Sequence, residues 1–138
     1  MWPEEVDRGA LVLVVEDDEN GRDLLGQILD DVGYRVVLAD SGPRALEIVA
    51  TTVPDIAVVD IMMPGMDGRD LCRALRRNPA TEAVPVLFLS AIDSLAEKLK
   101  AFDAGGNDFV CKPFDEPELL KKLRDLLRLA KGARSGAP

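Results

Sequence analysis

The sequence predicts an α/β protein built around one parallel sheet with helices on both faces. Five short apolar segments of strand type alternate along the chain with five segments whose apolar residues recur at helical spacing. The central strand segments are apolar throughout, which is typical of strands that are buried on both faces. With 138 residues, 47% of them hydrophobic and 30% charged, the chain is long enough for one domain and has an ordinary globular composition.

The strands are predicted where short apolar runs, rich in Val, Ile, Leu and Phe, lie between turn-forming or charged residues. Pro54 separates the third run from the helix before it, and Gly105-Gly106 precede the fifth run. In order along the chain, the predicted strands are Leu11–Val15, Arg35–Leu38, Ile56–Val59, Val84–Leu89 and Asp108–Cys111.

The helices between these strands are predicted from apolar spacing and from residues that favour helix ends. In the first helix, the residues at this spacing are Leu24, Leu25, Ile28, Leu29 and Val32. The end signals are, in order, Gly33 after the first helix, Ser41 and Pro43 at the start of the second, Asp67 before the third, Ser94 and Glu97 as a capping box on the fourth, and Asp115 before the fifth.

This (βα)5 order restricts the topology of the sheet. Crossover connections between parallel strands are right-handed, and the common five-stranded solution is the doubly wound, flavodoxin-like strand order 2-1-3-4-5. We assign residues 10–131 to this domain and expect flexible segments at residues 1–9 and 132–138. In such a sheet, strands one and three are neighbours, and ligands bind beyond their carboxyl ends.

Three of the predicted strands end in charged residues. The first is followed by Glu16, Asp17 and Asp18, the third by Asp60, and the fifth by Lys112. Because the carboxyl ends of parallel strands share one edge of the sheet, we expect several carboxylates and one ammonium to meet there. Such a group suits a divalent cation and a phosphoryl group, which makes Asp60 the candidate phosphate acceptor.

Composition excludes several classes of function. The chain has no histidine, so Ser-His-Asp and Cys-His catalysis are excluded, and a histidine phosphodonor must belong to another molecule. Cys72 and Cys111 form no CxxC pair and fit a reducing compartment. The net charge of −8 argues against nucleic-acid binding by this domain. Since no apolar run approaches the roughly 20 residues of a membrane span and the start does not resemble a signal peptide, we expect a cytoplasmic protein without a membrane anchor.

The combined pattern resembles the receiver domain of response regulators in two-component signalling, including the chemotaxis regulators. That family has an acidic pair after strand one, an aspartate after strand three, Ser or Thr after strand four, an aromatic residue in strand five and Lys-Pro after it. The corresponding residues here are Glu16-Asp17, Asp60, Ser90, Phe109 and Lys112-Pro113. The resemblance covers about residues 10–130, and five motifs in the right order make a chance match improbable.

The resemblance implies a Mg²⁺ site, in which Mn²⁺ can substitute. Carboxylates, a carbonyl group and waters are the ligands that Mg²⁺ prefers. We expect Asp17 and Asp60 to bind the cation directly. The resemblance adds the backbone carbonyl of Met62 as a third protein ligand and lets Glu16 act through a water molecule, a role that Asp18 could share.

The resemblance also implies how phosphate acts. Asp60 is the nucleophile, and Lys112 and Ser90 contact the phosphoryl oxygens. Ser90 and Phe109 form the switch: phosphorylation is expected to pull Ser90 toward the site and let Phe109 turn inward. The surface of the fourth helix, fifth strand and fifth helix then changes. A cis Lys112–Pro113 bond is expected to aim the ammonium at the phosphate.

The implied partners are a sensor histidine kinase or a histidine phosphotransfer protein, and a downstream effector protein or an attached output domain. A second copy of the chain, in a phosphorylation-dependent dimer, is a further partner to test. The protein is not expected to be an enzyme beyond catalysing its own phosphorylation and dephosphorylation. The last helix carries basic residues that suit either a partner surface or a solvated helix face: Lys121, Lys122, Arg124, Arg128 and Lys131.

Other interpretations stay open on the residues alone. The acidic residues after strand one could simply cap the first helix, and Phe109 could be a core residue. A phosphatase of the haloacid-dehalogenase type also has an aspartyl nucleophile, but it needs a second aspartate where this chain has Met62. A flavin carrier would need a glycine- and hydroxyl-rich loop in place of Glu16-Asp17-Asp18. A degenerate receiver that only binds proteins is disfavoured by the complete set of site residues.

Overall fold

The computed structural model of the chain describes residues 9–135, in which five strands alternate with five helices as predicted. The strands are β1 (Leu11–Val15), β2 (Arg35–Ala39), β3 (Ile56–Asp60), β4 (Val86–Ser90) and β5 (Asp108–Cys111). The helices are α1 (Glu19–Asp31), α2 (Gly42–Val49), α3 (Gly68–Arg77), α4 (Leu95–Asp103) and α5 (Glu116–Ser135). Among these helices, none combines the length and apolar character that crossing a membrane requires.

All five strands are parallel and lie in the order β2-β1-β3-β4-β5, which confirms the predicted flavodoxin-like topology. β1 pairs with both β2 and β3, so that Val15 lies beside Val59 at the carboxyl ends of the two strands. At the same edge, Ser90 at the end of β4 pairs with Cys111 at the end of β5. The register therefore brings the ends of four strands together around one site.

The core consists of two apolar layers, one on each face of the sheet. Alternate residues of the strands point to opposite faces, so Leu13 and Val15 join one layer while Val12 and Val14 join the other. The first layer is covered by α2, α3 and α4, and the second by α1 and α5. Since both faces of the central strands are buried, their uninterrupted apolar character is explained.

Two predicted boundaries differ from the structure by two residues or more. β4 begins at Val86 rather than at Val84, because the Val84 carbonyl accepts a hydrogen bond from Arg76 and its N–H bonds within the preceding turn. Residues 132–135, predicted as part of a flexible tail, are the last residues of α5. Helix elongation adds one backbone hydrogen bond for each residue ordered, and no proline interrupts the chain there.

The N-terminal lead-in is described only at its last residue. Gly9 has a positive φ of 86° and donates its N–H to the carbonyl of Gly33, which joins the chain entering β1 to the end of α1. Residues 1–8 and 136–138, which were predicted to be flexible, lie outside the described residues.

Candidate functional site

Three carboxylates meet at the carboxyl edge of the sheet. Glu16, Asp17 and Asp60 each offer an oxygen, and these oxygens all lie within 4.8 Å of one another. Glu16 and Asp60 are only 2% and 4% exposed, whereas Asp17 is exposed. The parallel pairing of β1 with β3 produces this arrangement, because Asp60 ends β3 and the acidic pair directly follows β1. The cluster is therefore buried on one side and open to solvent beside Asp17.

Lys112 supplies the positive charge of the site. Its Nζ lies 2.9 Å from Oε2 of Glu16 and 3.4 Å from Oδ2 of Asp60. The backbone N–H of Lys112 donates to the carbonyl of Ser90 at 2.7 Å, which fastens the residue after β5 to the end of β4. The bond between Lys112 and Pro113 is cis, as predicted.

The negative charge of this cluster is only partly balanced. Burial, together with the neighbouring Glu16 carboxylate, raises the pKa of Asp60 from 3.8 to about 6 against the opposing effect of Lys112. For Lys112, burial alone would lower the pKa, but Glu16 and Asp60 outweigh it and the pKa is raised. Three carboxylates thus face one ammonium, so that an added cation would be favoured electrostatically.

The donor set fits a hard divalent cation. Carboxylate oxygens are preferred Mg²⁺ ligands, and a site with few protein ligands leaves positions for water or phosphate oxygens. The exposed position of Asp17 gives such an ion access from solvent. Met62, the residue predicted to contribute a backbone carbonyl, lies two residues beyond the end of β3 and is 55% exposed.

The acidic residues between β1 and α1 have two different roles. Asp18 is the N-cap of α1, and its Oδ2 accepts the N–H of Gly21 at 2.8 Å. Helix capping therefore accounts for Asp18, while Glu16 and Asp17 belong to the carboxylate cluster. The idea that all the acidic residues after β1 serve as helix caps is wrong.

The loop between β3 and α3 closes tightly because residue 68 is glycine. A Cβ atom at Gly68 would lie 2.5 Å from the carbonyl oxygen of Asp60 and 2.9 Å from Cα of Ile61. The Gly68 N–H donates to the Ile61 carbonyl at 3.0 Å, and Asp67 caps α3 in a capping box with Asp70. The sequence marked Asp67-Gly68 as a helix start but did not reveal this backbone contact with the candidate acceptor.

Ser90 and Phe109 lie on adjacent strands behind the carboxylates. Ser90 is fully buried, and its Oγ accepts the N–H of Ile92 at 3.1 Å. Phe109 is 4% exposed and pairs with Phe88, and Nζ of Lys98 lies 5.9 Å from the centre of its ring. The Phe109 ring is thus already buried here, whereas its movement on phosphorylation stays a prediction.

One residue that contacts the site was missed by sequence reasoning. Nη1 of Arg22 donates to the backbone carbonyls of Glu16 at 3.0 Å and of Asp17 at 3.4 Å. Its position four residues after the N-cap Asp18 was the available signal, because that spacing places a long side chain over the start of the helix. An arginine on a helix surface is so common that the sequence alone did not single it out.

Comparisons with known proteins give matches over most of the chain. Residues 12–124 match the family model of the response regulator receiver domain. The chain is 44% identical over 120 residues to the response regulator MprA of Mycobacterium ulcerans, an alignment that covers 87% of this chain and 51% of MprA. The chain thus spans about half the length of the curated relatives it matches.

Solved structures give the same result. The chain superposes on a candidate response regulator from Chloroflexus aurantiacus with a TM-score of 0.84 and 35% identity, covering 88% of this chain and 99% of the other. It superposes on the chemotaxis protein CheY4 of Vibrio cholerae with a TM-score of 0.82 and 30% identity, covering 86% and 98%.

Proposed function

Because the chain belongs to the response regulator receiver domain family, we propose that it is a signalling switch that is phosphorylated on Asp60. The phosphodonor is a phosphohistidine of a sensor kinase or a histidine phosphotransfer protein, since the chain itself has no histidine. One observation carries the proposal: the buried Asp60 carboxylate lies within 4.8 Å of the Glu16 and Asp17 oxygens and 3.4 Å from Nζ of Lys112.

The side chains of the site have different roles in phosphoryl transfer. An Asp60 oxygen forms the new P–O bond while the P–N bond to the donor histidine breaks. Bound Mg²⁺, held by Asp17, Asp60 and the Met62 carbonyl with Glu16 acting through water, would neutralise charge on the phosphoryl oxygens. The Lys112 ammonium, 3.4 Å from the Asp60 carboxylate, would also neutralise charge on these oxygens.

Protonation and burial set the conditions for this step. With a pKa of about 6, Asp60 is mostly ionised at neutral pH, which is the form that a nucleophile requires. Burial of Asp60 limits the access of water to the acyl phosphate, and the Ser90 hydroxyl, at the end of the neighbouring β4, can donate to a phosphoryl oxygen.

The output is a change in the surface formed by α4, β5 and α5. This surface serves a downstream effector protein, an attached output domain or a phosphorylation-dependent dimer, and any catalysis is confined to the protein's own phosphorylation and dephosphorylation. The cytoplasmic location expected from the sequence stays a prediction.

NMR spectra with and without phosphodonor should show shifts in residues 94–125, and shifts confined to the loops that follow β1 and β3 would contradict the switch.

Intact-mass measurement tests the acceptor directly. Wild-type protein incubated with acetyl phosphate and Mg²⁺ should gain one phosphoryl group, whereas Asp60→Asn should gain none, and omission of Mg²⁺ should abolish the gain. Asp23→Asn, which alters an exposed carboxylate on α1, is the matched control and should be labelled like the wild type. Equal labelling of Asp60→Asn would place the acceptor elsewhere.

A further inference from the structure

Arg22 on α1 folds back over the loop that carries the acidic pair. Its guanidinium donates from Nη1 to the carbonyls of Glu16 and Asp17, at 3.0 and 3.4 Å. Its backbone N–H donates to the carbonyl of Asp18 within the helix. The partly buried Arg22 side chain therefore ties Glu16 and Asp17 to α1, in addition to the backbone bond that links Asp18 to the helix.

These contacts fix the backbone from which both carboxylates project. Glu16 has further anchors, since its N–H donates to the Ala39 carbonyl and its side chain pairs with Lys112. Asp17 is exposed, so the direction of its side chain depends more strongly on the path of the backbone. Release of the loop should therefore change the direction of the Asp17 side chain more than that of the Glu16 side chain.

We propose that Arg22 is a positioning residue for divalent cation binding, an inference that rests on the function proposed above. Arg22 has two opposing effects on a cation at the carboxylate cluster. Its positive charge repels the cation, whereas its hydrogen bonds hold the ligands in place. The second effect dominates because the guanidinium is partly solvent-screened and directed at backbone carbonyls, and loss of groups that orient metal ligands typically weakens affinity about 10- to 100-fold.

The two effects predict opposite results for the variant Arg22→Met, which removes the charge and the donors but keeps an unbranched side chain. Isothermal titration of the full chain with MgCl₂ should show affinity reduced about tenfold or more. Arg22→Lys retains the charge but lacks the forked guanidinium, so its affinity should also fall, by a smaller factor. Arg44→Met removes an exposed arginine of α2 and should leave the affinity unchanged, which controls for net charge.

The outcomes separate this inference from the proposed function. If the wild type binds Mg²⁺ and Arg22→Met binds it equally or more tightly, the positioning role is overturned while the proposed function stands. If the wild type fails to bind Mg²⁺, the proposed function is overturned and the inference with it. Denaturation in chelator establishes whether Arg22→Met is folded. If it is not, Arg22→Lys decides, and wild-type affinity in that variant overturns the inference.

Discussion

Replacing Asp60 with Asn should stabilise the metal-free protein, because the fold holds this carboxylate in an unfavourable environment. Burial, assisted by the charge of Glu16, raises the Asp60 pKa from 3.8 to about 6. Between these two values the folded state binds a proton that the unfolded state has released, so stability falls as the pH rises. At about 1.4 kcal/mol for each pKa unit, the full effect is about 3 kcal/mol and is present above pH 6.

Chemical denaturation in chelator measures this effect directly. Wild type and Asp60→Asn should differ least near about pH 4, and the free energy of unfolding of the variant should exceed that of the wild type by up to about 3 kcal/mol above about pH 7. Lys112 keeps its closer partner Glu16 in the variant, so the ammonium is not left unpaired. Asp23→Asn should stay within about 0.5 kcal/mol of the wild type throughout.

Mg²⁺ should reduce the difference in stability between Asp60→Asn and the wild type. An ion that binds only the folded wild type adds about 2.7 kcal/mol at a concentration 100 times its Kd, whereas Asp60→Asn should gain much less. A stability difference that does not change with pH would assign the effect to packing rather than to charge. Equal stability of the two proteins at every pH would refute the argument that burial of the ionised Asp60 carboxylate destabilises the fold.

Three further predictions concern the loops of the site. Asp17→Ala should weaken Mg²⁺ binding more than Glu16→Ala, as measured by titration, because Asp17 is the proposed direct ligand; equal affinities would contradict this ranking. Met62→Asn should speed loss of the phosphoryl group, by up to about 10²-fold if the amide positions a water molecule, and an unchanged decay rate would remove Met62 from this role. Gly68→Ala should destabilise the protein by about 1–3 kcal/mol in denaturation, since its Cβ would lie 2.5 Å from the Asp60 carbonyl, and unchanged stability would refute that clash.

The sheet and the main charged residues were predictable because their signals are local. Each strand is a short apolar run, and the parallel order follows from the alternation with helices, so the residues that end β1, β3 and β5 had to share an edge. Glu16, Asp17, Asp60 and Lys112 are all close to that edge. Strand register, rather than closeness in the sequence, brings Asp60 and Lys112 to the acidic pair.

The features that could not be predicted depend on side-chain direction and on contacts between distant segments. Sequence reasoning left open which acidic residue caps α1, because Asp17 and Asp18 differ only in where the backbone aims them. β4 starts two residues later than predicted, because Arg76 of α3 donates a hydrogen bond to the Val84 carbonyl. The same side chain donates to the Gly105 carbonyl, which precedes β5. No periodicity in the sequence marks these contacts.

The contacts of Ser90 offer a physical route from the acceptor to α4. The Ser90 hydroxyl accepts the N–H of Ile92 and belongs to a fully buried residue, so its movement toward a phosphoryl group would break this hydrogen bond unless the loop between β4 and α4 moves with it. That loop leads directly into Ser94, the N-cap of α4, whose side chain accepts the N–H of Glu97. The Lys112 backbone is bonded to the Ser90 carbonyl, so the end of β5 should move with it. Because a conformational change requires a ligand that favours one state, we expect the phosphoryl group to act by capturing Ser90 and Lys112 together.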